Sequence, residues 1–380
     1  MVTRKQISLI YRHNDNWIGG TYYILNIIRS LHLLDDKLKP ELVILYNVDS
    51  SIQAVKDIQY PYISFRKLEL SLNIFQKIIN KCFQKLNGKT IFKFKLPDDL
   101  VENIYPLKPN ISDANKKNAY YWIPDFQEHY YPEFFSKFDL KLRRESYIDL
   151  LDSKSDIVFS SMNALNDYNI FFPGNHNKKK VLNFASFISE DYKNIDVTEL
   201  FSKFDISKPY FMVSNQFWKH KNHWVILKAL VIILRSKISD FQVIFTGKEY
   251  DHRNPEYVNE LKSFINDNDI NRYVKFLGFI DRDEQLMLMS RSLAIIQPSL
   301  FEGWSTVVED SKVLNIFIFV SDIPLHREQI KSNCIFFDPN DPDDLAKKII
   351  LFRQNDKVPL DTDYAKYQSK FAADFIDLFE

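Results

Sequence analysis

Short apolar runs alternate along most of the chain with longer stretches whose apolar residues recur every three or four positions. Ile7-Ser8-Leu9-Ile10-Tyr11 reads as a buried strand. A polar loop and the pair Gly19-Gly20 follow, and Thr21 to Leu34 then carries apolar residues at helical spacing. Glu41 to Leu45, Ala119 to Ile123 and Asp156 to Phe159 read as further strands. The pattern restarts after residue 208. Tyr210 to Val213, Phe241 to Phe245, Tyr273 to Leu277, Leu293 to Gln297, Ile316 to Val320 and Cys334 to Phe337 are strand-like, while Trp224 to Leu234 and Asp341 to Phe352 are helical. Tyr364 to Phe379 reads as a closing helix with no strand after it. Strands alternating with helices predict βαβ units and parallel sheet.

The stretch from Phe184 to Pro209 is polar and irregular, which marks it as the linker between two domains. The expected division is a first Rossmann-like domain over 1–195, a second over 196–360, and a closing helix over 361–380. A length of 380 residues fits two domains at ~100–200 residues each. Open α/β sheets bind ligands outside the carboxyl ends of their strands. Two such sheets facing each other would put both binding edges on one cleft, with room for two substrates.

Composition narrows the chemistry. Lys+Arg and Asp+Glu are equal at 50 each, so the chain lacks the basic excess of a nucleic-acid binder. Aromatic residues at 15% argue against disorder over most of the chain. Cys82 and Cys334 are far apart, so no thiolate zinc site is expected; they read as two buried thiols in a reducing cytoplasm. The amino terminus runs straight into the first strand without a signal-peptide pattern, and no apolar run approaches the ~20 residues that cross a bilayer. A cytoplasmic protein is the expectation. Between Leu68 and Lys95 the chain departs from this even balance. Lys77, Lys81, Lys85, Lys89, Lys93 and Lys95 interleave with Ile78, Ile79, Phe83, Leu86, Ile91, Phe92 and Phe94, with few acids. Such a stretch suits an anionic membrane surface. The plainer alternative is a solvated helix packing its apolar side on its own domain.

The segment Pro298 to Lys312 is the most informative. A buried strand ends at Pro298, a short loop holds Gly303, one of only seven glycines, and a helix starts near Thr306. Backbone N–H groups at a helix start form an anion site suited to phosphate. Glu302 and Glu309 can accept hydrogen bonds from hydroxyls, as sugar recognition requires. Thr306-x-x-Glu309 also matches a capping box, in which Glu309 would only satisfy the Thr306 backbone, and Glu302 could be a solvated loop acid. Lys219 and Lys221, after the Tyr210–Val213 strand, are two cations able to neutralise a departing diphosphate; otherwise they belong to a basic surface loop.

Phe301-Glu302-Gly303-Trp304-Ser305-Thr306-Val307-Val308-Glu309-Asp310 resembles the donor-site signature of the GT-B "group 1" (family 4-like) retaining glycosyltransferases. Val213 to His223 and Ser321 to Glu328 resemble other parts of the same family, and Trp122 to Glu133 looks like a subgroup found among surface-polysaccharide enzymes. The resemblance covers nearly the whole second domain and patches of the first. It implies an α/β GT-B fold, in which two Rossmann-like domains face a cleft and the closing helix crosses back to the first. It also implies metal-independent transfer of a sugar, with no cofactor, from a nucleotide-diphosphate donor to a glycan or lipid-linked acceptor.

By the same resemblance Glu302 meets hydroxyls of the donor sugar, and the amides of Gly303, Trp304, Ser305 and Thr306 hold the sugar and phosphates. Glu309 binds the ribose, although the usual spacing is one residue wider, so Asp310 competes for that role. Asn215 stands where the family usually has an arginine, which leaves Lys221, helped by Lys219, to face the diphosphate. Gly19-Gly20 would line the cleft near diphosphate and acceptor, or mark a tight turn needing positive φ; the Gly-x-Gly-x-x-Gly of a nicotinamide site is absent. Asp125 and His129 are candidates for contacts to the donor sugar, with a structural histidine as the alternative. The histidines give no metal-ligand spacing. A nucleotide-sugar epimerase would need acid–base groups around the sugar, and no such set is evident. A non-catalytic sugar-binding partner would have little need for Glu302, Lys221 and Glu309.

Overall fold

A computed structural model describes residues 4–13, 18–48, 52–68, 72–87, 91–97, 100, 102–107, 111–112, 118–151, 156–354 and 358–380. The chain divides into two compact units, residues 1–187 with 365–380, and residues 188–364.

In the first unit the strands are β1 (Gln6–Ile10), β2 (Glu41–Tyr46), β3 (Ile63–Lys67), β4 (Phe94–Lys95), β5 (Asn103–Leu107), β6 (Ile111–Ser112), β7 (Asn118–Ile123), β8 (Asp156–Phe159) and β9 (Lys179–Val181). The helices are α1 (Ile18–His32), α2 (Gln53–Lys56), α3 (Ile74–Asn87), α4 (Gln127–Tyr130), α5 (Lys137–Leu151) and α6 (Met162–Phe171). Seven strands form one parallel sheet in the order β3-β2-β1-β5-β7-β8-β9, and β4 pairs with β6. The central strands β1 and β8 are almost wholly buried, as runs covered on both faces of a parallel sheet must be.

The second unit holds α7 (Val197–Lys203), β10 (Tyr210–Ser214), α8 (His223–Arg235), β11 (Gln242–Thr246), α9 (Tyr257–Asp267), β12 (Val274–Phe276), α10 (Arg282–Arg291), β13 (Ala294–Gln297), α11 (Thr306–Val313), β14 (Ile318–Ser321), α12 (Pro324–Gln329), β15 (Cys334–Phe337) and α13 (Pro342–Arg353). Its six strands are all parallel, in the order β12-β11-β10-β13-β14-β15. Counting from β10, that is the 3-2-1-4-5-6 order of a doubly wound nucleotide-binding sheet. One apolar cluster on the α8 side includes Phe211, Phe245, Leu227 and Leu345; another includes Met212, Ile244, Ile295 and Val308. Alternate residues of β10 thus feed opposite faces, as the strand period dictates.

The closing helix α14 (Ala365–Asp377) belongs to the first unit, where Phe371 and Phe375 pack beside Tyr23 and Tyr105 of that unit. Its position agrees with the crossing-back that the resemblance implies.

Four expectations change. The unit boundary falls at Phe187/Ile188, ahead of the 195/196 read from polarity. Tyr192, Ile195, Leu200 and Ile206 pack into the second unit's core, and Asp196 caps α7 by accepting from the backbones of Thr198 and Glu199. The stretch read as an irregular linker therefore holds a helix. Gly19 and Gly20 lie inside the first turn of α1, and the positive-φ glycines among the described residues are Gly174, Gly247 and Gly278; no tight turn is built there. Cys82 is exposed and Cys334 half-buried, so the thiols are not both core residues. Finally, α3 leaves Ile74, Phe75 and Ile78 more than half exposed, so it does not pack its apolar side wholly on its own domain. Lys89 and the side chains of Lys85 and Leu86 lie outside the described residues. Among the described residues no helix is long and apolar enough to cross a membrane.

Candidate functional site

The strand order of the second unit reverses between β10 and β13. The loops leaving their carboxyl ends, 215–222 and 298–305, therefore lie side by side. This is where open parallel sheets form their ligand crevice.

Two charges meet there. Lys221 closes a 3-10 turn, Lys219–Lys221, and its Nζ donates to Glu302 Oε1 at 2.6 Å. The same oxygen accepts from Gln297 Nε2 at 2.7 Å and from Ser299 Oγ at 2.6 Å. Side-chain exposure is only 15% for Lys221 and 9% for Glu302, so the pair is largely out of water. Burial pushes the Glu302 carboxyl up, but the charge and hydrogen bond of Lys221, with the Ser299 hydrogen bond, outweigh it and hold the pKa below the usual glutamate range. Glu302 is therefore ionised and fixed in position, not a solvated loop acid.

Neighbouring groups hold this pair. Asn215 Nδ2 donates to Gln297 Oε1 at 2.9 Å, so Asn215 reaches Glu302 through one glutamine. Ser321 Oγ, at the end of β14, donates to the Ser299 carbonyl at 2.5 Å. Leu300 N–H donates to the His220 carbonyl at 2.8 Å. Asn222 adopts the left-handed conformation, φ 54°, and its Nδ2 donates to the carbonyls of Pro298 and Pro339 at 3.2 and 2.8 Å. Asparagine tolerates that conformation better than most residues. Buried Asp251 takes the Lys219 backbone N–H at 3.3 Å and pairs with Arg253, which lies over the Trp218 ring. His220 is buried, and burial together with the charges of Lys221 and Arg253 keeps it neutral.

A third loop is fitted under the first. Gly247 follows β11 with φ 136°, and a Cβ there would stand 2.1 Å from the Asn215 carbonyl oxygen. Gly247 N–H donates to the Gly278 carbonyl at 2.8 Å, which ties together the loops after β11 and β12.

The helix start differs in detail from the capping box. Ser305, not Thr306, is the N-cap of α11, and its Oγ accepts from Val308 N–H. Glu309 does not fold back on the cap. Its carboxylate, 1% exposed, accepts from Lys312 Nζ at 3.0 Å, Gln329 Nε2 at 2.9 Å and the Tyr364 hydroxyl. Asp310 faces the other way, accepting from Arg282 Nη2 of α10 at 2.7 Å. Gly303 is buried with an ordinary φ, and Trp304 and Thr306 are half-buried.

In the first unit, Asp125 Oδ1 accepts the Gln127 backbone N–H at 3.1 Å just before α4. His129 is exposed and stacks on Phe171, ring centroids 4.1 Å apart. Between them Glu128 is buried and accepts from Arg143 at 2.8 Å and the Tyr147 hydroxyl at 2.7 Å. Gly19 and Gly20 stand at the start of α1.

The structure brings Glu302, Lys221 and the Gly303 turn together and links Asn215 to them. Gln297, Ser299, Asp251 and Gln329 were not legible as site residues. The signal for Gln297 was present, since it is a polar residue ending an otherwise apolar strand. Among the described residues no group of three or more His, Cys, Asp or Glu is placed to hold a metal ion.

Residues 196–371 match the family described as "Glycosyl transferases group 1". The O-antigen chain mannosyltransferase RfbU of Salmonella typhimurium is 24% identical over 154 residues, a match spanning 40% of this chain and 41% of that protein. Two solved structures share the fold. A glycosyltransferase from Rickettsia africae has a TM-score of 0.60 at 18% identity, covering 99% of this chain and 94% of that one. Anabaena Alr3699/HepE in complex with UDP has a TM-score of 0.62 at 17% identity, covering 99% and 96%.

Proposed function

On the premise that residues 196–371 form a group 1 glycosyltransferase domain, we propose that the protein moves a sugar from a nucleoside-diphosphate donor to a glycan or lipid-linked acceptor in surface-polysaccharide assembly. The observation that carries this reading is the Lys221–Glu302 pair at the sheet's switch point. It sets a cation suited to a pyrophosphate beside a carboxylate suited to sugar hydroxyls. The mannosyltransferase and UDP-complex relatives support the same reading.

The reaction proceeds with retention. The bond from the anomeric carbon to the diphosphate oxygen breaks, the acceptor oxygen bonds on the same face, and its proton passes to the departing phosphate. Lys221, Lys219 and the amides of Gly303, Trp304 and Thr306 take the growing negative charge, the task preorganised donors perform best, while the Ser305 amide is already held by Gln329 Oε1 at 3.2 Å. Glu302, fixed through Oε1, accepts from the donor sugar's hydroxyls. Because lysines supply the positive charge, transfer is expected to persist in excess EDTA.

The ribose falls to Asp310 rather than Glu309. Both carboxylates are buried and ion-paired, Asp310 to Arg282 and Glu309 to Lys312, so the choice rests on spacing: Asp310 stands at the separation from Glu302 that is usual in the family. Asp310→Asn is therefore expected to raise the donor KM about tenfold or more, and also to lower the melting temperature because it leaves Arg282 without its carboxylate. Glu309→Gln should lower the melting temperature and leave the donor KM nearly unchanged. The opposite split would return the ribose role to Glu309.

Thermal shift with UDP, GDP, dTDP and CMP sugars tests the whole reading, since a bound nucleotide raises the melting temperature by mass action. NMR of the product formed with the stabilising donor then reads the anomeric configuration. No stabilisation by any of them, or an epimerised donor without transfer, would end it. The exposed Ile74, Phe75 and Ile78 of α3, on a helix without acidic residues, suit the cytoplasmic face of an anionic membrane. Co-sedimentation with vesicles should rise sharply when anionic lipid is added, and fall again in Lys77→Glu/Lys81→Glu.

A further inference from the structure

The first unit holds a pocket that the donor chemistry does not use. It lies at the carboxyl ends of β1 and β2, has a volume of about 290 Å3, and is lined by Ile10, Tyr11, Arg12, Tyr46, Asn47 and Phe94, with Leu45 and Leu68 behind. Its volume is near the lower end of the range for small-molecule sites, ~300–1,000 Å3, enough for one sugar unit.

Arg12 makes this pocket informative. It is half-buried, yet among the described residues it has no ion pair and no side-chain hydrogen bond. A guanidinium withdrawn from water without a counter-charge is costly, and it is kept where a ligand supplies the anion. Burial acts on Arg12 and weakens its hold on the proton, and no carboxylate among the described residues opposes it. The remaining wall is half-buried aromatic surface from Tyr46 and Phe94 with the exposed amide of Asn47. Flat apolar faces beside an amide and a cation suit a sugar ring that carries an acidic group.

We propose that this pocket binds an acidic sugar unit of the acceptor, a monosaccharide bearing phosphate or carboxylate, with the anion on Arg12 and the ring against Tyr46 and Phe94. The word acceptor rests on the glycosyl-transfer reading; the binding of an acidic sugar here does not.

Ligand-observed NMR titration of the full chain tests it, with glucose 6-phosphate, glucuronate, glucose and inorganic phosphate as probes. Both acidic sugars are expected to bind at least tenfold tighter than glucose and tighter than phosphate alone. Arg12→Gln should bring them down to the level of glucose, Arg12→Lys should retain part of the difference, and Lys221→Ala should leave it unchanged. Equal binding of glucose and its phosphate, unchanged binding in Arg12→Gln, inorganic phosphate as strong as the sugar phosphate, or loss of the difference in Lys221→Ala would each overturn the proposal. UDP affinity, measured in parallel, should be the same in Arg12→Gln. Its absence from the wild-type protein would count against the donor reading without touching this one.

Discussion

Lys221→Ala is expected to lower turnover by about 10²–10³-fold, the loss that follows removal of one preorganised donor from a developing negative charge. Glu302→Ala should do comparable damage, because it frees Lys221 from its fixed position and removes the acceptor for the sugar hydroxyls. Each single variant also leaves a largely buried charge without its partner, which costs ~3–5 kcal/mol of stability. Activity alone would thus confound a lost site with a weakened fold. The double variant Lys221→Met/Glu302→Gln separates the two. It leaves no unpaired charge, and an amide in place of the Glu302 carboxylate could still engage Ser299 and Gln297, so its melting temperature should recover most of the loss. Its turnover should not recover. Initial rates with the stabilising donor, read beside thermal melts of all three proteins, make the comparison. Near-normal transfer by Lys221→Ala and Glu302→Ala would remove both from the chemistry, whatever the melts show.

Gly247→Ala should be the most damaging single methyl added to the second unit. Its φ of 136° lies where side-chain-bearing residues carry strain of ~1–3 kcal/mol. The new Cβ would also stand 2.1 Å from the Asn215 carbonyl oxygen and 2.6 Å from its carbon, and backbone cannot swing aside as a side-chain tip can. Overpacking of this kind adds ~1–3 kcal/mol. The relief available is a shift of loop 215–222, which carries Asn215, Lys219 and Lys221. A melting temperature lowered by several degrees and a turnover reduced at least tenfold are therefore expected together. Gly174→Ala is the control, since its φ is also positive but nothing stands within 4 Å of its Cβ. It should carry the strain without the collision, and leave turnover untouched. If Gly247→Ala melts and turns over like the wild type, the close approach of the two loops is not a constraint on the site.

The second unit was more legible than the first for a physical reason. All its strands lie in one parallel sheet covered on both faces, so β10, β11 and β13 are apolar at nearly every position and announce themselves as runs. In the first unit β3, Ile63-Ser64-Phe65-Arg66-Lys67, and β9, Lys179-Lys180-Val181, are edge strands interrupted by charged residues, and neither reads as a run. Central β5, Asn103-Ile104-Tyr105-Pro106-Leu107, contains a proline and pairs irregularly with β7 beside it. Asp196 is an N-cap signal set in a polar stretch, and that polarity masks the short helix behind it.

The kinds of group in the candidate site can be read along the chain: a glutamate and a glycine after one buried strand, two lysines after another, and a helix start behind them. The parallel α/β architecture can be read there too, because hydrophobic periodicity records which side of each local element faces the core. The partners follow from long-range packing. Lys221 and Glu302 are 81 residues apart in the chain and meet because β10 and β13 are neighbours at the point where the strand order reverses. Which of the adjacent acids Glu309 and Asp310 is tied up by Gln329 and Tyr364, and which faces Arg282, depended on helices and a chain segment packed from elsewhere. Such pairings are set by long-range packing, to which a local pattern of apolar and polar positions is blind.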